Sequence, residues 1–211
     1  MLRLTASGIR KSYGGIEVLN GCSFDFPDLG VYTLTGPNGC GKSTFLRICA
    51  MLEPPDAGEA AYSDGNGVLP HSISLMRRVT LVLPKVGLFN AAVFRNAAYG
   101  LRLRGITGRE AEDRVNHALE LVGLARKRNQ NALTLSSGEA QRLGIARALV
   151  IEPEVLFLDE PTASVDERNT ALIEQIIQSL RREGNTIIVM TTHDRDQASR
   201  LADRELLMPA D

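Results

Sequence analysis

At 211 residues, with 44% hydrophobic and 23% charged side chains, the chain has the size and composition of one well-packed globular domain and is too short for two full ones. A formal net charge of −1 excludes the concentrated basic surplus expected of a nucleic-acid binder, so no nucleic-acid partner is expected. The basic clusters are short (Arg77-Arg78, the spaced Arg102 and Arg104, Arg126-Lys127-Arg128) and read as solvated faces. The N-terminus, Met1-Leu-Arg-Leu-Thr, lacks a signal-peptide core, and no apolar run approaches the ~18 residues that span a bilayer. A soluble, cytoplasmic protein is expected, touching membrane only through a partner. The odd count of three cysteines, Cys22, Cys40 and Cys49, without metal-ligand spacing, suits a reducing compartment.

In chain order, apolar residues alternate at Leu2, Leu4, Ala6 and Ile9 until Gly14-Gly15, and Val18–Phe26 reads as a second strand before a turn at Pro27-Asp28. A short buried-type strand, Val31–Thr35, runs into a glycine-rich loop, followed by a helix from Lys42 to about Leu52 that Pro54-Pro55 would end. Residues 59–71 read as loop, with Asp64-Gly65-Asn66-Gly67 as a turn signal, and Val79–Leu83 as a strand. From Pro84 to Ile151 the pattern is helical. Thr107 with Glu110 and Ser136 with Glu139 have capping-box spacing ahead of helices, and Val115, Leu119 and Val122 repeat at helical intervals. Val155–Leu158 is a fully apolar strand of the parallel-sheet kind. A helix marked by Leu172, Ile173, Ile176, Ile177 and Leu180 stops at Gly184, and Thr186–Met190 is the last strand, with no appended regulatory domain expected after it. Strand–helix alternation around a helical insert predicts an α/β core with a helical lobe.

The strand–loop–helix junction holds Gly36-Pro37-Asn38-Gly39-Cys40-Gly41-Lys42-Ser43, which fits the phosphate-binding P-loop pattern. Glycines let backbone N–H groups close around phosphate oxygens, and the helix start adds partial positive charge. Lys42 supplies a full charge to the β- and γ-phosphates, and the Ser43 hydroxyl suits Mg²⁺. The apolar strand Val155-Leu-Phe-Leu158 delivers Asp159-Glu160 at its carboxyl end, where ligands of open α/β sheets bind. Asp159 is the second candidate for Mg²⁺, and Glu160 the candidate general base for an attacking water.

Leu135-Ser136-Ser137-Gly138-Glu139-Ala-Gln-Arg142, about two dozen residues before Asp159, resembles the signature motif of the ABC ATPase family. The likeness covers essentially the whole chain. It implies one ABC ATPase domain over 1–211, with a P-loop (RecA-like) α/β core of mixed sheet and an N-terminal antiparallel β subdomain (1–83 and 152–211), and a helical signature lobe (84–151). It further implies a head-to-tail homodimer with two ATPs sandwiched between subunits, each capped by the opposing Ser136, Ser137, Gly138 and Glu139. Asp159-Glu-Pro-Thr-Ala-Ser164-Val-Asp166 resembles the family segment that continues into the D-loop at the dimer interface, which adds Asp166 to the nucleotide contacts. His193, in Thr191-Thr-His-Asp194, resembles the switch histidine at the γ-phosphate, and Tyr13 resembles the aromatic residue that stacks on adenine. The implied nucleotide contacts therefore comprise Tyr13 and Gly36 through Thr44, with Lys42, Glu160 and His193 in catalytic roles.

Two positions depart from the family. Pro84 stands where a glutamine usually touches the metal or lytic water, and no glutamine occurs before Gln130. Proline has no side-chain donor or acceptor and fixes φ, so ATP binding should survive while turnover or coupling weakens. Ser137 replaces a usual glycine; it costs about 1 kcal/mol if that residue is left-handed and almost nothing otherwise. Cys40, inside the phosphate loop, is expected to be alkylated readily and shielded by nucleotide.

The resemblance implies the ATPase subunit of a membrane importer, peripheral on the inner face of the cell membrane and energising a separate transmembrane permease. The run Leu88 to Gly105 is similar to ATPases of oxyanion importers of the tungstate and molybdate type. Two alternatives stay open: a catalytically weak subunit needing a partner, and a non-transport ABC protein, against which the absence of tandem cassettes and basic appendages speaks.

Overall fold

The computed structural model describes residues 1–163 and 165–209. In chain order the elements are β1 (Arg3–Tyr13), β2 (Ile16–Phe26), β3 (Gly30–Thr35), α1 (Lys42–Cys49), β4 (Ala57–Asp64), β5 (Gly67–Leu69), α2 (Ile73–Met76) and β6 (Val79–Val82). There follow α3 (Val93–Ala97), α4 (Tyr99–Leu103), α5 (Gly108–Leu121), α6 (Ser137–Leu149), β7 (Val155–Leu158), α7 (Glu167–Glu183), β8 (Ile187–Thr191), α8 (Arg195–Leu201) and β9 (Arg204–Leu207). By its internal contacts the chain divides into two compact units. The first holds residues 1–81, 154–160 and those from 180 onward, and the second holds 82–153 and 161–179.

The first unit contains both sheets. β2, β1, β4 and β5 form an antiparallel sheet in that order, and β6, β7, β8, β3 and β9 form the other, where β7–β8, β8–β3 and β3–β9 run parallel. Alternation in β1 changes phase between Ala6 and Ile9, and the structure shows why. Gly8, at φ 59°, sits in a bulge where the register to β2 shifts, so Leu2, Leu4, Ala6 and Ile9 are all buried. Leu4 lies between Phe26 of β2 and Tyr62 of β4. Phe45, Leu46 and Ile48 of α1 share one apolar cluster with these residues and with Leu34, Phe157 and Val189 of the parallel sheet. At about 1.5–3 kcal/mol per fully buried large side chain, this cluster fixes α1, and with it the loop that precedes α1.

Several expectations need correction. Residues 59–71 were expected to be loop but contain most of β4 and all of β5, joined through the expected turn, with Asp64 opposite Gly67. α1 ends at Cys49, before the prolines: Met51 turns left-handed at φ 59°, and the Tyr62 hydroxyl donates to the Cys49 carbonyl at 2.6 Å. Thr107 is the N-cap of α5 but its side chain makes no capping bond, and Glu110 pairs with Arg114 at 2.9 Å instead. The capping box at Ser136 and Glu139 is present. After β8, expected to be the last strand, come α8 and the edge strand β9, whose Arg-Glu-Leu-Leu is exposed or only half-buried. Residues 161–179, assigned from sequence to the core, cluster with the helical unit. Asn169 of α7 lies so close to Gly138 of α6 that a Cβ there would stand 2.3 Å from its Cγ.

Candidate functional site

In the first unit, the glycine-rich loop leaves the end of β3 and enters α1 through Gly41, the N-cap, at φ 87°. Lys42 is buried, and its ammonium donates to the Gly36 and Pro37 carbonyls at 2.9 and 2.8 Å, so the charge is held inside the curve of its own loop. Gly36 needs to be glycine: a Cβ would meet Cys40 Sγ at 2.9 Å and Met208 Cβ at 3.0 Å. Loop and α1 residues Asn38, Gly39, Gly41, Lys42, Ser43 and Thr44 line a cavity of about 220 Å³ together with Val18 and Glu160.

The acidic pair arrives from the parallel sheet. All four residues of β7 are buried, and Asp159 beyond them is 1% exposed. A carboxylate so deep needs donors. Ser43 Oγ donates to Asp159 Oδ1 at 3.0 Å, and Thr191 Oγ1, at the end of β8, donates to the same oxygen at 2.9 Å. The Thr191 hydroxyl also accepts the Glu160 N–H at 2.8 Å. That bond holds Glu160 at φ 44°, a left-handed conformation costing a residue with a side chain about 1–2 kcal/mol. The Glu160 carboxylate lies 4.0 Å from His193 Nδ1. Lys42, Ser43, Thr44, Asp159, Glu160 and His193 are thus brought together from β7, β8 and the phosphate loop. Thr191 was not assigned a role from sequence; its position at the carboxyl end of a central strand was the available signal. Tyr13, at the end of β1, is linked to the phosphate loop through its hydroxyl, which interacts with Thr44. The residue is 42% exposed, and its hydroxyl donates to Glu53 at 2.5 Å, which raises the phenol above its ordinary range.

The donor set fits a hard divalent cation. A hydroxyl and a buried carboxylate converge, and the described residues hold no cluster of three or more His, Cys, Asp or Glu. Mg²⁺ beside phosphates uses one or two carboxylates, the rest of its shell coming from water and phosphate oxygens.

The second unit carries the remaining candidates. Ser136 caps α6: its Oγ accepts the Glu139 N–H at 3.3 Å while Glu139 Oε2 accepts the Ser136 N–H at 3.1 Å. Lys127 lies 2.6 Å from the other Glu139 oxygen, and chiefly this cation holds the carboxyl below the usual range. Ser137 is not left-handed, so serine is accommodated there at almost no cost. Gly138 is required by packing against Asn169. Asp166 gives both carboxylate oxygens to Asn169, one to its N–H and one to its side-chain amide, each at 2.8 Å, and these bonds hold its pKa down. Asn169 Oδ1 in turn accepts from buried Arg142 at 3.2 Å. Asn169, missed from sequence, thereby joins the signature helix to the Asp166 segment; Ser164 of that segment lies outside the described residues. Pro84 is exposed, and the chain around it is fastened to α6: Gln141 donates to the Leu83 carbonyl at 3.3 Å, Arg147 to the Gly87 carbonyl at 2.5 Å, and Val86 fills the space over Gly144.

A glycine-lined phosphate loop, a buried acid tied to the loop's serine and a strained glutamate beside a histidine define a P-loop ATPase. The family described as ABC transporter matches residues 19–163. The chain belongs to that family, as an ATPase subunit of the importer type. It is 38% identical to the phosphate import ATP-binding protein PstB 2 of Natronomonas pharaonis, over 97% of this chain and 76% of that one. It is also 38% identical to the tungstate uptake system ATP-binding protein TupC of Peptoclostridium acidaminophilum, over 96% of this chain and 92% of that one. The solved structure of cbiO1 from Clostridium perfringens, part of the ABC transporter complex cbiONQ, matches with a TM-score of 0.84 at 28% identity, covering 97% of this chain and 84% of that one. No helix among the described residues is long and apolar enough to cross a membrane.

Cys40 Sγ, half-buried and 3.9 Å from the Lys42 ammonium, offers a direct test of loop occupancy. Its alkylation is expected to slow when MgATP is added; equal rates with and without MgATP would show that nucleotide does not cover the loop.

Proposed function

We propose that this chain hydrolyses MgATP as a head-to-tail homodimer and so drives a separate membrane permease that imports an oxyanion such as tungstate. The reading is carried by one observation: the Ser43–Asp159–Thr191 chain of hydroxyls and carboxylate, which sets Glu160 beside His193 at the mouth of the phosphate loop. ATP is bound by loop N–H groups and Lys42, and the ring of exposed Tyr13 stacks on adenine. Mg²⁺, when bound, supplies charge neutralisation to the phosphates, and Ser43 and Asp159 are the residues to hold it. Glu160 accepts the proton of the attacking water, and His193 with Lys42 stabilises charge on the transferred phosphoryl group. Ser136 and Gly138 of one subunit cap the ATP of the other, while Asp166 orders the adjoining segment through Asn169. Loss of phosphate reopens the dimer, and the motion passes to the permease through the segment that begins at Pro84. The protein then resides in the cytoplasm, against the inner face of the cell membrane. Relatives that import phosphate and tungstate support the oxyanion class; the cargo itself never touches this subunit.

The deciding experiment is phosphate release by the purified chain under saturating ATP, with Mg²⁺ and with EDTA. Mg²⁺-dependent turnover supports the reading. ATP binding without turnover would shift it to a catalytically weak subunit that needs its permease or a better partner, the reading that Pro84 favours. Pro84→Gln is expected to raise turnover or its stimulation by the permease; if both stay unchanged, Pro84 is not what limits this ATPase.

A further inference from the structure

We propose that Lys127 is a built-in counter-charge that lets the Glu139-bearing start of α6 receive the terminal phosphate of ATP held by a second copy of this chain. The proposal deepens the reading in which Ser136 and Gly138 cap the opposing nucleotide, and rests on it. The first N–H groups of a helix have no acceptor within it. In α6 the capping box uses those of Ser136 and Glu139, which leaves the Ser137 and Gly138 N–H groups as the intrahelically unpaired donors of the first turn. The same box fixes a full negative charge in that turn, because Glu139 Oε2 is bonded to the Ser136 N–H. An incoming triphosphate would meet that carboxylate at close quarters, and like charge works against the attraction of the helix end.

The structure offers a specific remedy. The Lys127 ammonium, on the one-turn 3-10 helix Ala125–Lys127, sits 2.6 Å from Glu139 Oε1, with side-chain exposures of 38% for the lysine and 18% for the glutamate. Arg142, one turn further along α6, acts on the Glu139 carboxyl only through space and less than Lys127 does. It is buried and spent on Asn169 and on the Val122 carbonyl. Lys127 therefore neutralises the carboxylate without occupying the two free N–H groups. Because it acts through Glu139, it is a positioning residue.

Charge compensation makes an ordering prediction that a purely structural role does not. Four proteins, each also carrying Glu160→Gln to hold ATP unhydrolysed, are compared for the ATP concentration at which half the protein dimerises, read by sedimentation at low salt. These are the parent, Lys127→Met, Glu139→Gln and the double variant. Lys127→Met is expected to raise that concentration roughly two- to fivefold, the range of a solvent-accessible charge pair. Glu139→Gln alone should lower it, and the double variant should return to the parent's value. The spread should shrink in ~0.5 M salt, where exposed charges are screened. If Lys127→Met and the double variant are equally impaired, Lys127 only braces the helix and the proposal falls. It falls too if no variant moves. A parent that binds ATP but stays monomeric overturns the capping reading and this proposal together, whereas a parent that dimerises without the predicted order overturns the proposal alone.

Discussion

Glu160→Gln is expected to cut steady-state phosphate release by roughly 10²–10⁴-fold, the usual contribution of a positioned general base, while ATP stays bound. The substitution is conservative in shape, and the backbone features that place the residue do not depend on the carboxylate. The Glu160 N–H keeps its bond to the Thr191 hydroxyl, and φ stays at 44°. Only the proton-accepting group is lost, beside His193 and 4.0 Å from its Nδ1. Phosphate release at saturating MgATP, measured with ATP affinity on the same preparation, separates the two effects. A variant within about threefold of the parent would remove Glu160 from the base role, since a base contributes far more than that. A variant that also loses ATP would mean the glutamate serves binding instead.

Different parts of this site were legible in the sequence to different degrees. The phosphate loop was legible because its chemistry is local: glycines, Lys42 and Ser43 sit within eight residues, between a strand and a helix. Asp159-Glu160 was legible because four apolar residues can only be a buried strand pointing its next residues at the ligand edge. What ties these pieces together was not. Thr191 lies 32 residues from Asp159, and Asn169 lies 27 residues from Arg142; each bond exists only once elements are packed. The same limit hid β4 and β9. β4 carries three alanines and a glycine where a strand would normally declare itself with large residues, and its pairing to β1 is tertiary. The Thr107 cap failed for the opposite reason: the spacing was right, but Glu110 found Arg114, one helical turn away, as its partner.

Gly41→Ala is expected to cost far more than Gly39→Ala, although both glycines have φ 87°. The shared left-handed backbone charges each alanine about 1–2 kcal/mol. Around Gly39 nothing lies within 4 Å of a Cβ, so that is the whole cost there. At Gly41 a Cβ would stand 2.5 Å from Leu19 Cδ2 and 2.6 Å from the Val18 carbonyl oxygen. Leu19 is buried in the core cluster and the carbonyl belongs to β2, so neither yields without moving the sheet. The loop must move instead, and Gly41 is the N-cap of α1, so Lys42, Ser43 and Thr44 move with it. Gly41→Ala should therefore lose at least ~100-fold in ATP affinity, about 2.7 kcal/mol, against less than ~10-fold for Gly39→Ala. Its melting temperature should fall by ~2–4 °C for each kcal/mol of strain that reaches the core. Equilibrium ATP binding and thermal unfolding of the two variants check this together. Equal losses at the two positions would mean that backbone handedness alone sets the loop, and that its seat against β2 contributes nothing to holding phosphate.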